Sequence, residues 1–557
     1  MTQDIYSLAD GLVDETATVM PVLATYAGVP GHEHRWNDFT ADGARREHGV
    51  LEDQLRRVRE LPPSDDPEAE TARRIVESAL EDEVDQYRHE EYLGDLNSLA
   101  SSFQDLRQTF DLMQRETHED WWAIADRLLG LPIALHAYGT RLEEGRQRGR
   151  AVPARQVREG IRQARNHAGD RSFFLSLPGE FAATGIEDDR LRGRIEGSIE
   201  PIRAAYDGFA DYLERAYLPD APEKDAVGEE RYVRLARRFL GTSLDPQATY
   251  TWGWSEVERL RRRMEETAGL IRPGASLAEA LEILQTDPER AAPSQEAFRE
   301  AMLERQRIAL RELDGVHFDV PEPIKTVDVR LTPPGDSLGA YYVGPSEDFS
   351  RSGCVWFSLG DKQVVPMFDQ VSTAYHEGFP GHHLQNGFQV AGGGRLTRYQ
   401  KLLVWYPGTG EGWALYAEDF MEELGYLERP DYVMGKLASE MLRAARVVID
   451  IGSHLELPIP EGQPFHPGEP WSFETGVEML MRYAAQDRPL SEAEMNRYLG
   501  WPGQAISYKV GQQVIRDLRA DARRRHGEAF DPKAFHARML DIGSVGIDVL
   551  REHMAAF

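Results

Sequence analysis

A single cysteine in 557 residues rules out any disulfide within the chain, which fits a reducing compartment. That residue, Cys354, lies in the apolar stretch Gly353-Cys354-Val355-Trp356-Phe357 and reads as a small buried hydrophobe rather than a nucleophile. Long apolar runs are also missing. No segment approaches the roughly 18 residues of a membrane span, so a membrane partner is excluded. Positive charge is scarce: 64 Lys and Arg face 94 Asp and Glu, a formal net charge of -30. Such a chain repels phosphate backbones and anionic lipid, which excludes nucleic acid as a partner. The opening residues Met1 to Tyr6 show neither a basic nor an apolar leader region, so a cytoplasmic location is expected. Fixed-period repeats and low-complexity tracts are absent too. What is present, 41% hydrophobic and 28% charged residues, describes a water-soluble globular protein.

To about residue 320 the sequence reads as helix after helix, with apolar residues three and four apart. Breaks fall at Leu61-Pro62-Pro63, Leu218-Pro219-Asp220, Arg272-Pro273-Gly274 and Ala292-Pro293-Ser294. Charge runs such as Arg261-Arg262-Arg263 and Arg523-Arg524-Arg525 read as solvated helix faces. Between about 321 and 360 the texture changes. Val327 to Leu331, Gly339 to Val343 and Cys354 to Phe357 are β-prone, with Pro, Gly and Asp turns between them. The expected fold is therefore mainly α with a small β-sheet beside the active-site helix. A helical N-terminal scaffold (1–320) precedes a metal-site catalytic region (321–557), and the two are read as one continuous structural unit. The helix after the sheet is expected to open near Pro366, and the sheet edge to flank a substrate cleft.

That helix carries His376-Glu377-Gly378-Phe379-Pro380-Gly381-His382-His383. Three imidazoles and one carboxylate in eight residues suit a catalytic zinc site, because zinc takes neutral His nitrogens and a nearby carboxylate can deprotonate bound water. In an HExxH helix the two His lie about 6 Å apart along the axis. Here the fourth residue after His376 is Pro380, which supplies no ligand and clashes with the carbonyl four residues back. A regular helix would set His376 and His383 about 10 Å apart along the axis, too far to share an ion. The helix must therefore break near Phe379, and the break can bring His382 to the position of the second His.

Downstream, Gly408-Thr409-Gly410-Glu411-Gly412-Trp413 reads as a Gly-rich loop entering a helix. Glu411 and Glu418 lie on one face two turns apart, so only one can reach an ion directly. Glu411 is the candidate ligand near the positive helix end, and Glu418 a candidate to orient a ligand from behind. Arg446, Asp450 and His454, four apart, can form one polar stripe that either orients ligands or satisfies itself internally. Tyr508 or His454 can donate to an oxyanion, and Lys509 can hold a substrate carboxylate. Arg443, Arg446 and Arg497 are further available cations for such a group.

The motifs His376 to Gln385, Glu411 to Glu418 and Pro502-Gly503-Gln504-Ala505 through Tyr508-Lys509 together resemble the bacterial family known as domain of unknown function 885. The strand region Ala340-Tyr341-Tyr342 resembles it as well, which adds Tyr341 to the substrate-binding candidates. The resemblance implies an elongated, mainly helical fold similar to zinc carboxypeptidases of the Taq family, with a long cleft. It implies His376, His382 and Glu411 as ligands and Glu377 as general base, leaving His383 to substrate or to a supporting contact. The expected activity is that of a zinc-dependent hydrolase, a metallopeptidase of carboxypeptidase or dipeptidase type acting on a small peptide or amide. A zinc amidase or esterase on a small metabolite, or an inactive peptidase-like binding protein, are the alternatives. No oligomeric state is implied.

Overall fold

In a computed structural model, residues 4–332, 339–346, 349, 351–392 and 395–557 are described. They are mainly helical, with two small sheets. The chain divides into two compact units. One comprises residues 1–226 together with 397–403 and 499–501, and the other residues 227–396, 404–498 and 502–557.

The first unit is built on helices whose apolar residues recur every three or four positions. Its 30-residue helix, His118–Gln147, opens on a capping box between Thr117 and Asp120, which satisfies two otherwise free amide groups. Trp121, Ile124, Leu128, Leu131, Leu135 and Tyr138 line one face of it. They pack with Phe103, Phe110, Tyr206 and Phe209, each large side chain contributing roughly 1.5–3 kcal/mol by leaving water.

Three of the four expected breaks fall between helices, whereas Leu218–Asp220 forms a short 3-10 helix of its own. Ala41–Arg59 ends ahead of Pro62, and Pro67–Arg88 restarts on an Asp66 cap. Pro246–Ile271 stops before Pro273, and Ser294 caps Gln295–Leu313. The Arg523 to Arg525 run occupies the last turn of the helix Ser507–His526, where cations suit the helix dipole.

The second unit holds both sheets. β1 (Ala291–Ala292) pairs antiparallel with β5 (Val365–Pro366). β2 (Asp328–Leu331), β4 (Cys354–Ser358) and β3 (Gly339–Val343) form a three-stranded sheet in the order β2-β4-β3. β2 runs parallel to β4, and β3 antiparallel to it. Cys354 is buried in β4, and burial pushes its thiol pKa up to about 11, so it is the inert hydrophobe expected. One expectation is corrected here. Pro366 does not open the helix but lies in β5, where a two-residue edge pairing tolerates its missing N–H; the helix begins at Gln370.

That helix, Gln370–Glu377, stops at Gly378, and a second, His382–Ala391, starts after Gly381. The Phe379-Pro380 peptide between them is cis. Gln306, from Gln295–Leu313, stabilises the break. Its amide nitrogen donates to the Ala374 carbonyl at 2.7 Å, and its oxygen accepts from the Phe379 amide at 2.6 Å. Gly381 is required because a Cβ there would strike the His376 carbonyl.

Candidate metal centre

The break turns two imidazoles toward one carboxylate. His376 Nε2 lies 3.4 Å, and His382 Nε2 3.5 Å, from the same Oε2 of Glu411. The two rings meet edge to face with centroids 5.0 Å apart. The three donor atoms all lie within 4.8 Å of one another. In a tetrahedral site with arms of 2.0–2.1 Å, neighbouring donors stand about 3.3–3.4 Å apart, so two of the separations already fit.

Glu411 sits in the helix Pro407–Glu423. Contrary to the loop expected from their composition, Gly408, Gly410 and Gly412 lie inside this helix. Close packing is the reason: a Cβ on Gly412 would overlap the backbone of Gly511 in the helix Ser507–His526. The indole N–H of Trp413 donates to the Pro380 carbonyl at 2.9 Å, tying this helix to the break. Two turns beyond Glu411, Glu418 accepts from His376 Nδ1 at 2.8 Å and from the Ser372 hydroxyl. The two carboxylates thus straddle one imidazole. With one proton held on Nδ1 by Glu418, His376 can offer its Nε2 lone pair to an ion that displaces the other, the arrangement usual for a metal-bound His.

The charges follow from this geometry. Burial works to lower the His376 pKa, but hydrogen bonds with Glu411 and Glu418 push it up to about 10. Burial likewise opposes ionisation of Glu411, yet the two imidazoles hold its pKa well below the usual carboxylate range. Glu377 differs. Half-buried, it makes no hydrogen bond or ion pair among the described residues; burial, with the nearby Glu411 carboxylate, raises its pKa, against the opposing influence of His376, His382 and Arg443.

His383 turns away from the centre. Its Nδ1 meets the Tyr342 hydroxyl at 3.0 Å and its Nε2 the Ile324 carbonyl at 2.8 Å, and burial lowers its pKa to about 4. Because the carbonyl can only accept, Nε2 carries the proton, and both ring nitrogens are in use. Tyr341, on the β3 edge strand, stacks its half-exposed ring on Trp356.

Of Arg446, Asp450 and His454, the last two pair directly, His454 Nε2 lying 3.7 Å from Asp450 Oδ1, while Arg446 turns to another carboxylate. Arg446 pairs with Glu494 at 2.9 Å. Asp450 accepts from the Tyr232 hydroxyl at 2.6 Å and the Gly503 amide at 2.9 Å. His454 is wholly buried, with Nε2 3.0 Å from the Tyr498 carbonyl. The Lys509 expectation is corrected: this buried ammonium donates to Glu440 at 2.5 Å and Gln512 at 2.8 Å and pairs with Glu256 at 3.0 Å. No N–H remains for a substrate. Tyr508 lies among arginines, its hydroxyl 3.5 Å from Arg497 Nη2. A separate groove of about 580 Å³, lined by Arg263, Asp419, Glu422, Lys436 and Arg516 among others, holds none of the metal-site residues.

Two supporting residues escaped sequence reading. Ser372 lies four residues before His376, a spacing that could have exposed it. Gln306 carried no local signal.

A family model described as bacterial protein of unknown function (DUF885) matches residues 21–554. The chain belongs to the DUF885 family. Two solved structures share its fold. One, described as a "putative lipoprotein" from Colwellia psychrerythraea, is 20% identical over 99% of this chain and 98% of its own, with a TM-score of 0.87. The other, a "putative lipoprotein of unknown function" from Shewanella oneidensis, is 15% identical over 99% of this chain and 100% of its own, with a TM-score of 0.76. No curated protein matches. Among the described residues of this DUF885 protein, no helix is long and apolar enough to cross a membrane.

Proposed function

We propose that this DUF885 protein is a zinc-dependent hydrolase, a metallopeptidase of carboxypeptidase or dipeptidase type acting on a small peptide or amide. The observation that carries the reading is the unpaired Glu377 carboxylate, next in sequence to one of two imidazoles that converge on Glu411. The donor set suits zinc: two imidazole nitrogens, which must give up any proton to bind, one carboxylate oxygen and a buried carboxylate behind one His. Bound by His376, His382 and Glu411, zinc would acidify water and polarise a carbonyl.

The chain's own groups supply the rest. Glu377, with no competing donor, takes the proton of the attacking water and returns it to the leaving nitrogen. Glu418 and Ser372 hold the His376 ring in one tautomer. The β3 edge offers main-chain groups to an extended substrate. The likeness to zinc carboxypeptidases of the Taq family, with its long cleft, belongs to this proposal.

The cytoplasmic location stays a proposal as well, set against the word lipoprotein in the descriptions of both solved neighbours; cell fractionation separates the two. The activity test compares zinc-loaded wild type with Glu377→Gln on a panel of short peptides. The reading expects both proteins to retain zinc and only the wild type to cleave. Equal cleavage by both, or none by either, counts against it.

A further inference from the structure

A large apolar side chain stands exposed at the metal centre. Trp405, two residues before the helix Pro407–Glu423, tilts its ring against that of His382 with centroids 6.2 Å apart, and is 44% exposed. Its benzene half lies on the residue ahead of Glu411: a Cβ on Gly410 would stand 2.6 Å from Trp405 Cζ2 and 2.7 Å from Cη2. Glycine at 410 is what lets the indole come so close. Of the three candidate ligands Glu411 is the most open, its side chain 18% exposed against 9% for His382 and 5% for His376. The centre is therefore open at the residue next to the one on which the indole lies.

The neighbours of Trp405 fix the ring without using its polar group. Val404 and Tyr406, on either side of it in the chain, are buried. Ser544 grips Tyr406 twice: its carbonyl accepts from the Tyr406 amide at 3.1 Å, and its hydroxyl donates to the Tyr406 carbonyl at 3.1 Å. The Trp405 N–H makes no hydrogen bond among the described residues, whereas the indoles of Trp413 and Trp471 each donate at 2.9 Å. A lone exposed apolar side chain is ordinary on a protein surface. One anchored beside a candidate metal ligand, with a face and a donor to spare, is placed to meet whatever the ion holds.

We propose that Trp405 sets the side-chain preference of the site: its exposed indole takes a flat aromatic side chain of the substrate, from a residue beside the bond that is cut. An extended peptide advances about 3.3–3.6 Å per residue, so with a carbonyl at the ion the side chain of an adjoining residue comes within reach of the ring. Aromatic pairs gain free energy beyond the area they bury, which an aliphatic side chain of equal bulk does not. The cleavage named here rests on the hydrolase reading above, but the stacking does not require it.

The test uses zinc-loaded full-length Glu377→Gln protein and two dipeptide series, Gly-X and X-Gly, where X is Phe, cyclohexylalanine, Ala or Lys, with affinity read by calorimetry. In at least one series Phe is expected to bind roughly 10- to 100-fold more tightly than Ala, by burial, and about 2- to 10-fold more tightly than cyclohexylalanine, by stacking. Adding Trp405→Leu should erase the margin over cyclohexylalanine and leave zinc content and binding of the Ala peptide unchanged. Adding Trp405→Phe, the gentler change, should keep much of the Phe preference but remove the shift in indole emission that the Phe peptide causes. Equal affinity for all four side chains, tightest binding of Lys, or binding of none overturns the proposal. So does a Phe preference that survives Trp405→Leu, or an emission shift that survives Trp405→Phe. Cleavage by wild type without regard to X would remove the aromatic platform and leave the hydrolase reading standing. A Phe preference that depends on Trp405, in a protein whose wild type cleaves nothing, would do the reverse.

Discussion

Replacing Glu418 with Gln tests the centre without touching a group proposed to meet the ion. The carboxylate accepts from His376 Nδ1 at 2.8 Å and from the Ser372 hydroxyl in a fully buried setting. Gln keeps an acceptor of similar size but removes the charge, so His376 becomes less basic and its tautomer less strongly fixed. Losing a partner of this kind weakens metal binding by about 10- to 100-fold, or roughly 1.4–2.8 kcal/mol. Competition against a chromogenic chelator measures the zinc affinity of wild type and variant. In the metal-free protein Glu418 also helps Glu411 hold a proton on His376. The titration is therefore repeated at higher pH, where that competition fades and the loss should grow. An unchanged affinity would refute the orienting role. Complete loss, equal to that of His376→Ala, would refute the division of labour between Glu411 and Glu418.

His382→Ala should abolish stoichiometric zinc binding. His383→Ala should keep the metal but lose roughly 2–4 kcal/mol of stability, because Tyr342 and the Ile324 carbonyl lose their buried partner; metal analysis and denaturant unfolding separate the two. Lys509→Met should cost about 1.5–3 kcal/mol by removing charge-assisted bonds to Glu440 and Glu256, both of which keep Arg259 as a partner, with zinc affinity unchanged. Burial raises the Asp450 pKa to about 7 from an ordinary 3.8. The folded state thus keeps a proton that the unfolded chain releases, and stability falls between those two pH values by up to about 1.4 kcal/mol per unit. Unfolding curves of Asp450→Asn should lack that fall.

Local chemistry made part of this structure readable. Pro380 and Gly381 require a broken helix whatever surrounds them, and six residues from His376 to His382 then suffice for convergence. The capped helices between proline-rich breaks, and the three β-prone stretches, are likewise local. Tertiary partners decided the rest. His383 looks as good a ligand as His382 until Tyr342 and Ile324, 41 and 59 residues away, are found on its nitrogens. Lys509 reads as a free cation because its carboxylates, Glu440 and Glu256, stand far back in the chain. Pro366 reads as a helix start because a two-residue pairing with Ala291 and Ala292 has no periodicity to announce it. The boundary between the compact units near residue 226 passes through a run of helices, whereas the change in texture near 321 marks only the approach of the sheet.

Anomalous diffraction from crystals grown with zinc addresses the central claim most directly. The account predicts one strong peak about 2.0–2.2 Å from His376 Nε2, His382 Nε2 and a Glu411 oxygen, with His383 still bonded to Tyr342. No peak there, or a peak ligated by His383 instead of His382, would contradict it.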